Sequence, residues 1–389
     1  MKIKVYSLKT ECIMLEMLLA VLICVGNFFQ LSSFISLAFL CTFAVLVFLS
    51  IKQSHGGKVN KELALLVLLS VLNVVINALI SPAAHFNLDY IKKLIMFISA
   101  ITFFVLIRDA EITIIDKRMA YWFGIILAAL FPIAYFALNI HTMLGKYLTM
   151  GFTNPNFTAF WILHGFLFTA IAFFKVDKIW LKSLFVIIAI GNLYIASLTL
   201  NRAIWIVITC FFVLLLYGII WRKRSLPPVI IAIIVILPII IVMLYHAMLE
   251  NAFFQKTFSF MVSEGKGLNS RTLVWDLATE KLRHAWVLGD YSGISNGTGI
   301  SQMHNTHLDV ICSYGLIPFC LFVYILGSVA MRLNERSNTI EQYVSICSFL
   351  AVILFGIFEA ALFSGCTGLN YLTGAFLILA KTSTEEDSN

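Results

Sequence analysis

Residues 228–248 read PVIIAIIVILPIIIVMLYHAM and contain no charged side chain. A helix needs about 20 mostly apolar residues to cross the hydrocarbon core of a bilayer, and this run has that length. The rest of the chain has the same character, because 61% of its 389 residues are hydrophobic and only 12% are charged. Such a composition lies far outside the usual range of soluble domains. The sequence therefore predicts an integral membrane protein, organised as one domain over residues 1–389.

Further apolar runs lie on both sides of this segment, separated by short polar joints. We predict an all-α, polytopic fold with about 12 transmembrane helices. The predicted spans are residues 12–29, 31–51, 62–80, 93–107, 119–140, 157–174, 180–200, 203–221, 228–248, 307–331, 342–363 and 368–380. We interpret the first as a retained helix and not as a cleaved signal peptide, because a second span follows it almost at once.

The lysines and arginines predict how these spans are oriented. Cytoplasmic joints of membrane proteins retain Lys and Arg, and about two-thirds of the 27 Lys and Arg residues lie in joints on the same side as the N-terminus. We therefore expect both termini to be cytoplasmic. The net charge of +7 follows from this topology, and we expect no nucleic-acid partner.

The cysteines indicate neither disulfides nor a metal site. Eight cysteines are scattered singly, mostly inside predicted spans, without a Cys-x-x-Cys pair or a Cys/His ligand spacing. Disulfide frameworks and zinc sites show such spacings. We expect no metal and no cofactor.

One connection is much longer than the other joints. Residues 250–306, between the ninth and tenth predicted spans, contain no spanning run and are predicted to be extracytoplasmic. Loops of this length in compact proteins are usually functional. Ser270 suits an N-cap, and apolar residues recur after it at helical spacing. The loop is therefore expected to contain short helices.

His304 lies where this loop meets the tenth predicted span. A histidine at that place can accept or guide a proton near neutral pH. The alternative is an interfacial histidine that only caps the span, and the residue taken alone favours it. Neighbouring Asn305 and His307 favour the functional interpretation, because several polar groups at the end of a span are costly unless they are used.

Two arginines are the next outliers. Arg202 lies in a two-residue joint between nearly apolar spans, where its permanent charge needs an anion, a lipid headgroup or carbonyl groups. Arg271 lies in the first turn of the predicted loop helix, where a phosphate could bind between the helix N-terminus and the guanidinium. The alternatives are snorkelling to lipid phosphate for Arg202 and a solvated surface position for Arg271.

Other polar residues lie at further predicted outer ends. Asn154 and Asn156 flank a proline, and ordinary turn chemistry is the alternative interpretation. Lys92 and Lys93 lie at another end. Glu359 lies near the outer end of a late span, and Asp309 just inside the tenth. Intramembrane carboxylates are functional candidates by default, although a structural partner would also satisfy them.

Several of these residues stand in motifs that resemble a known family. The motifs are Asn154-Pro155-Asn156, Thr199-Leu200-Asn201-Arg202, Ser270-Arg271-Thr272-Leu273-Val274-Trp275, Gly289, His304-Asn305 and Gly315-Leu316-Ile317. Their order and side are similar to those of the O-antigen polymerase and O-antigen ligase superfamily. The chain departs from the common pattern at Asn201, where many members carry serine, and in lacking a proline at residues 284–286.

The resemblance implies a metal-independent, inverting, membrane-embedded glycosyltransferase of the GT-C type in a bacterial inner (cytoplasmic) membrane, with an extracytoplasmic active site. The donor would be an undecaprenyl-diphosphate-linked oligosaccharide and the acceptor another glycan. Arg202 and Arg271 would bind the diphosphate, and His304 would be the catalytic base or orient the acceptor hydroxyl. The candidate substrate-contacting residues are Asn154, Asn156, Lys92, Lys93, Trp275, Asn305, His307 and Glu359.

The resemblance leaves the acceptor open. A polymerase of O-antigen or capsule repeat units, which could work with a chain-length regulator, is favoured by the Asn-Pro-Asn turn and the compact outer loop. A ligase would transfer the glycan to the lipid A core. A lipid-linked oligosaccharide flippase is a third alternative, but it would need polar residues along several spans and two related halves, which the sequence does not show. A structural scaffold would leave the outer arginines unexplained.

Overall fold

The computed structural model describes residues 15, 17–29, 31, 61–80, 88–109, 112–152, 154–251, 269–289, 303–359 and 369–382. This part of the chain is almost entirely helical, as predicted. The helices are α1 (Met17–Phe28), α2 (Lys61–Ile80), α3 (Leu88–Asp109), α4 (Ile114–Pro132), α5 (Pro155–Lys175), α6 (Ile179–Leu198), α7 (Arg202–Ile220), α8 (Pro228–Glu250), α9 (Asn269–Ala285), α10 (Thr306–Tyr314), α11 (Leu316–Glu335), α12 (Ile340–Phe355) and α13 (Leu369–Ala380). A π-helical turn, Ile133–Ala137, extends α4. The exception to the all-α class is a small antiparallel hairpin of β1 (Met143–Leu144) and β2 (Tyr147–Leu148).

Seven helices in the described part of the chain are long and apolar enough to cross a membrane. They are α2, α4 with its π-helical turn, α5, α6, α7, α8 and α11. The first six coincide with predicted spans, so the chain is a multi-pass membrane protein. The count of about 12 spans is not reached within the described residues, because α1 and α12 are shorter apolar helices and because α3 and α13, at the predicted spans 93–107 and 368–380, are not among the seven. The predicted span 31–51 lies outside the described residues, apart from Leu31.

The prediction of one continuous span over residues 307–331 is wrong. The helix breaks at Gly315, whose φ of +83° is a conformation that side-chain-bearing residues rarely adopt. A Cβ atom at Gly315 would lie 2.1 Å from the carbonyl oxygen of Val287. The backbone N–H of Leu316 instead donates to the carbonyl of Trp286, at 2.9 Å. The break therefore holds the end of α9 against the joint between α10 and α11.

Helix α5 forms the centre of the bundle and packs against α4, α6 and α12. Its side chains are largely buried, and Phe160 stacks on Phe355 of α12 with ring centroids 4.7 Å apart. The two helices are antiparallel, because Asn156 at the start of α5 contacts Glu359 after α12, while Lys175 at its end pairs with Glu341. A helix of this length separates its ends by about 30 Å.

Two groups of polar contacts lie at opposite ends of this bundle. We name the first the His304 end, comprising the starts of α5 and α7, the segment before α10 and the residues after α12. The second is the Arg108 end, where the start of α2 meets the ends of α3 and α11. There the Nζ atom of Lys381 donates to the carbonyls of Ile107 and Arg108, at 2.8 and 3.0 Å. The side of the membrane that each end faces stays a prediction.

Candidate functional site

His304 pairs with Glu359 at the His304 end. The Nδ1 atom of His304 lies 3.1 Å from Oε2 of Glu359. The Glu359 side chain is 1% exposed, whereas that of His304 is 24% exposed. A carboxylate can only accept, so we assign the proton to Nδ1, and this leaves Nε2 of a neutral imidazole as an acceptor. The pair therefore has the geometry of a histidine base whose ring is oriented by a carboxylate.

The backbone at His304 is also unusual. Its φ of +49° lies in the left-handed region, which few non-glycine residues occupy. Such conformations cost of order 1–3 kcal/mol and cluster at functional sites. The strained residue follows Met303, whose carbonyl accepts a hydrogen bond from Nε1 of Trp275 at 3.1 Å. The surrounding contacts therefore hold His304 in a conformation that the residue would not adopt by itself.

The Glu359 carboxylate is also held from α5. Nδ2 of Asn156 donates to Oε1 of Glu359 at 2.5 Å. Asn156 is fixed by the Asn-Pro-Asn turn, because the Asn154 side chain caps α5 by accepting from the backbone N–H of Asn156 at 2.8 Å. Pro155 suits the first helical position, where no backbone donor is needed. The predicted polar turn thus serves to aim one asparagine at a buried carboxylate.

Asn201 extends this chain of hydrogen bonds to α7. Its Nδ2 atom donates to Oδ1 of Asn156 at 2.8 Å, while its Oδ1 atom caps α7 by accepting from the backbone N–H of Ile204 at 3.2 Å. The series Asn201, Asn156, Glu359 and His304 therefore links four separate segments of the chain. Asn201 was not among the predicted site residues. An asparagine directly before Arg202, at the start of an apolar run, is the sequence feature that could have identified it.

The two predicted arginines differ in what the structure describes. Arg202 is the first residue of α7, so it directly follows Asn201, a member of the series of hydrogen bonds. Its side chain is partly exposed. Arg271 lies in the first turn of α9, as predicted, but its side chain is outside the described residues. One turn further along α9, Trp275 contacts the residue before His304. The backbone of α9 therefore begins close to the His304 end.

Asn305 and His307 are fully buried, and both contact backbone carbonyls, but the buried Nδ1 atom of His307 has no hydrogen-bond partner among the described residues. The Asn305 side chain caps α10 through the N–H of Leu308 and donates to the carbonyls of Pro238 and Ile357. Nε2 of His307 lies 2.7 Å from the carbonyl of Val235. Proline interrupts the hydrogen bonds within α8, and polar side chains of a neighbouring helix often satisfy carbonyls at such a place in a membrane. Neither side chain is exposed to a substrate in this structure.

A cation and a second carboxylate lie nearby. Nζ of Lys93 on α3 is 3.7 Å from Oδ1 of Asp309 on α10. Asp309 is also close enough to interact electrostatically with a protonated His304. The side chain of Lys92 is outside the described residues. The structure thus places Lys93 and His304 around the same buried carboxylate.

Metal ligands do not converge at this place. Within the described part of the chain, no three His, Cys, Asp or Glu side chains are grouped so that they could hold a metal ion. No protein-family model and no curated protein matches this chain. A functional interpretation therefore depends on the motifs in the sequence and on the geometry of the His304 end.

Proposed function

We propose that the chain is a polysaccharide polymerase that transfers an undecaprenyl-diphosphate-linked glycan onto an acceptor glycan at the outer face of a bacterial inner membrane. The His304–Glu359 pair is the observation that carries this proposal. An acceptor hydroxyl is a weak nucleophile, and a positioned histidine is the usual group to take its proton. The partly exposed His304, oriented by a buried carboxylate, has the form that this task requires.

The proposed reaction is a single displacement. The acceptor hydroxyl oxygen attacks the anomeric carbon of the donor and gives its proton to Nε2 of His304. The bond between that carbon and the diphosphate oxygen breaks, and the electron pair leaves with the diphosphate, which inverts the anomeric carbon. Glu359 stabilises the resulting imidazolium through Nδ1, as a carboxylate does for a catalytic histidine in hydrolases. The lipid diphosphate then leaves with its added negative charge.

The arginines would stabilise that leaving group. A guanidinium keeps its charge at every physiological pH and matches phosphate oxygens with paired donors. Arg202 is covalently next to Asn201, which is joined through Asn156 to Glu359. Arg271 would act together with the N-terminus of α9, which favours anions. This arrangement supports charge stabilisation by fixed cations, with no metal or other cofactor in the proposal.

The acceptor distinguishes the polymerase from the ligase. A polymerase would use another lipid-linked repeat unit, and a ligase the lipid A core, with the same residues performing the chemistry. We propose the polymerase because of the Asn-Pro-Asn turn, which the structure ties to Glu359. A chain-length regulator in the same membrane would then be a partner.

The test is product formation by the purified protein. Incubation with an undecaprenyl-diphosphate oligosaccharide should give a ladder of polymers, whereas Arg202→Ala and His304→Ala should give none. His141→Ala is the matched histidine control, since His141 is exposed, contacts the carbonyl and the ring of Tyr135 and is not part of the hydrogen-bonded series that ends at His304. A full ladder from His304→Ala would refute the role assigned to His304, and the absence of a ladder from the unaltered protein would refute the transferase. Transfer that occurs only with lipid A core would indicate the ligase.

A further inference from the structure

A second polar region lies at the Arg108 end, far from His304. A cleft of about 680 Å³ opens there between α2, α3 and α11. Its lining includes four cations, from Lys61, Arg108, Arg332 and Arg336, and two carboxylates, from Glu62 and Glu335. With the Asp109 carboxylate, which pairs with two of these cations, four cations meet three carboxylates, and the cleft keeps a net charge of +1. The proposed glycan transfer uses none of these residues.

The floor of the cleft is rigid. The Arg108 side chain is only 7% exposed, and its Nε and Nη2 atoms each donate to the Asp109 carboxylate at 2.9 Å. Its Nη1 atom donates to Oγ of Ser328 on α11 at 2.8 Å. Arg332 also pairs with Asp109, at 2.8 Å. These contacts bind α3 to α11 and occupy the buried guanidinium, so Arg108 supports the site structurally.

The rim carries the accessible charge. Lys61 is the first residue of α2, and Arg336 follows the end of α11, so the two cations stand on opposite walls of the cleft. Both residues are exposed. The cations on the floor already have carboxylate partners, but the lining as a whole retains an excess of positive charge. An anionic group that enters between α2 and α11 would therefore be attracted from both sides.

An apolar surface begins one helical turn from Lys61. The side chains that form it recur at helical spacing along α2 and are between 44% and 75% exposed: Leu65, Leu68, Leu72, Val75 and Leu79. Tyr324 of α11, 55% exposed, lies beside its start and donates a hydrogen bond to Glu62 at 3.3 Å. A cationic cleft continues here into an apolar stripe about as long as a bilayer leaflet, since α2 rises about 1.5 Å per residue.

We propose that this cleft binds the phosphate headgroup of an anionic membrane lipid, whose acyl chain lies along the apolar stripe of α2. Lys61 and Arg336 attract the phosphate, and Tyr324 marks the boundary between headgroup and acyl chain, where such amphipathic rings are commonly found. A soluble phosphate compound shares the headgroup chemistry but has no acyl chain to contact the apolar stripe. The proposal requires only that the chain is in a membrane and does not depend on glycan transfer.

The experiment measures lipid retention by the full chain. Purified protein in detergent is mixed with phosphatidylglycerol or phosphatidylcholine of the same acyl length, and bound lipid is counted by native mass spectrometry. The test variant is Lys61→Gln/Arg336→Gln. The control is Lys223→Gln/Arg224→Gln, which removes two exposed cations from the joint between α7 and α8. Glycerol phosphate, offered alone, tests for a soluble phosphate ligand.

We expect phosphatidylglycerol to be retained in preference to phosphatidylcholine. The cleft variant should bind it about 30-fold more weakly, since each cation near an anionic headgroup contributes about a factor of five. The control variant should bind as the wild type does. Equal weakening of both variants would mean nonspecific attraction and would overturn the proposal, as would equal retention of both lipids. Retention of glycerol phosphate as strong as that of the lipid would assign the cleft to a soluble ligand instead.

Discussion

Polar side chains at the His304 end and at the Arg108 end are satisfied in different ways. At the His304 end, two asparagine amides and one buried carboxylate form a linear series of hydrogen bonds that reaches a partly exposed imidazole. At the Arg108 end, guanidinium groups and carboxylates form a closed network around Asp109. The closed network fixes helices to one another, whereas the linear series leaves its last member, His304, accessible to a reactant.

The largest effect should come from the carboxylate beside His304. Glu359→Gln keeps the size and an acceptor for Asn156, but its amide can donate to Nδ1 of His304 and so favour the tautomer that carries the proton on Nε2. We expect the initial rate of polymer formation to fall about 10²- to 10⁴-fold, with the thermal unfolding temperature little changed. The control is Glu62→Gln at the Arg108 end, which should keep the rate within about twofold. Comparable losses in both variants would remove the functional distinction between the ends.

A smaller effect is expected one step further along the series. Asn156→Ala removes the donor to Glu359 and the acceptor for Asn201, so the rate should fall about tenfold and stability by about 1–2 kcal/mol. Asn156→Asp should be worse than alanine, because it places a second carboxylate at hydrogen-bond distance from Glu359 while it still accepts from Asn201. Rates and thermal unfolding of both variants measure this order. If Asp were the milder substitution, one of the two adjacent carboxyl groups would have to be protonated in the folded protein.

Much of the bundle could be predicted, because apolar runs of about 20 residues have few alternatives to a spanning helix. The break at Gly315 could not be predicted in this way, since apolar residues continue on both sides of it. What breaks the helix is a tertiary contact, the close approach of Val287 to Gly315. Hydropathy contains no information about such a contact.

The residues of the candidate site could be identified one by one from the sequence, but their arrangement could not. His304, Asn156 and Glu359 were noticeable as polar groups at the ends of apolar runs. Their pairing was not, because His304 and Glu359 are 55 residues apart with three helices, α10, α11 and α12, between them. Asn305 and His307 were noticeable in the same way, but the sequence did not show that they are buried and contact carbonyls of α8. Which polar residue remains accessible depends on packing.

At the Arg108 end we expect an effect on stability alone. Arg108→Ala removes the hydrogen bonds to Asp109 and Ser328, and we expect a loss of about 1–3 kcal/mol in the free energy of unfolding. This loss in the free energy of unfolding is not larger because Asp109 is 39% exposed, so water can replace its lost partner. Thermal unfolding in detergent measures this, with Arg224→Ala as control, since Arg224 is exposed and lies outside the cleft. The rate of transfer per folded molecule should not change, and a large loss of rate would mean that the two ends are coupled.

The smallest effect should come from the pair that ties α5 to α12 near the Arg108 end. Nζ of Lys175 lies 3.0 Å from Oε1 of Glu341, with about a third and a quarter of the two side chains exposed. Such partly hydrated pairs contribute about 0.2–1 kcal/mol. Lys175 also lies over the Tyr121 ring, 4.2 Å from its centroid. A double-mutant cycle with Lys175→Met and Glu341→Gln separates the ion pair from this second contact. We expect a coupling energy below about 1 kcal/mol that decreases with salt. A larger, salt-independent coupling would show that even the exposed ion pairs fix the helices, and that the Arg108 end owes its rigidity to more than the buried network around Asp109.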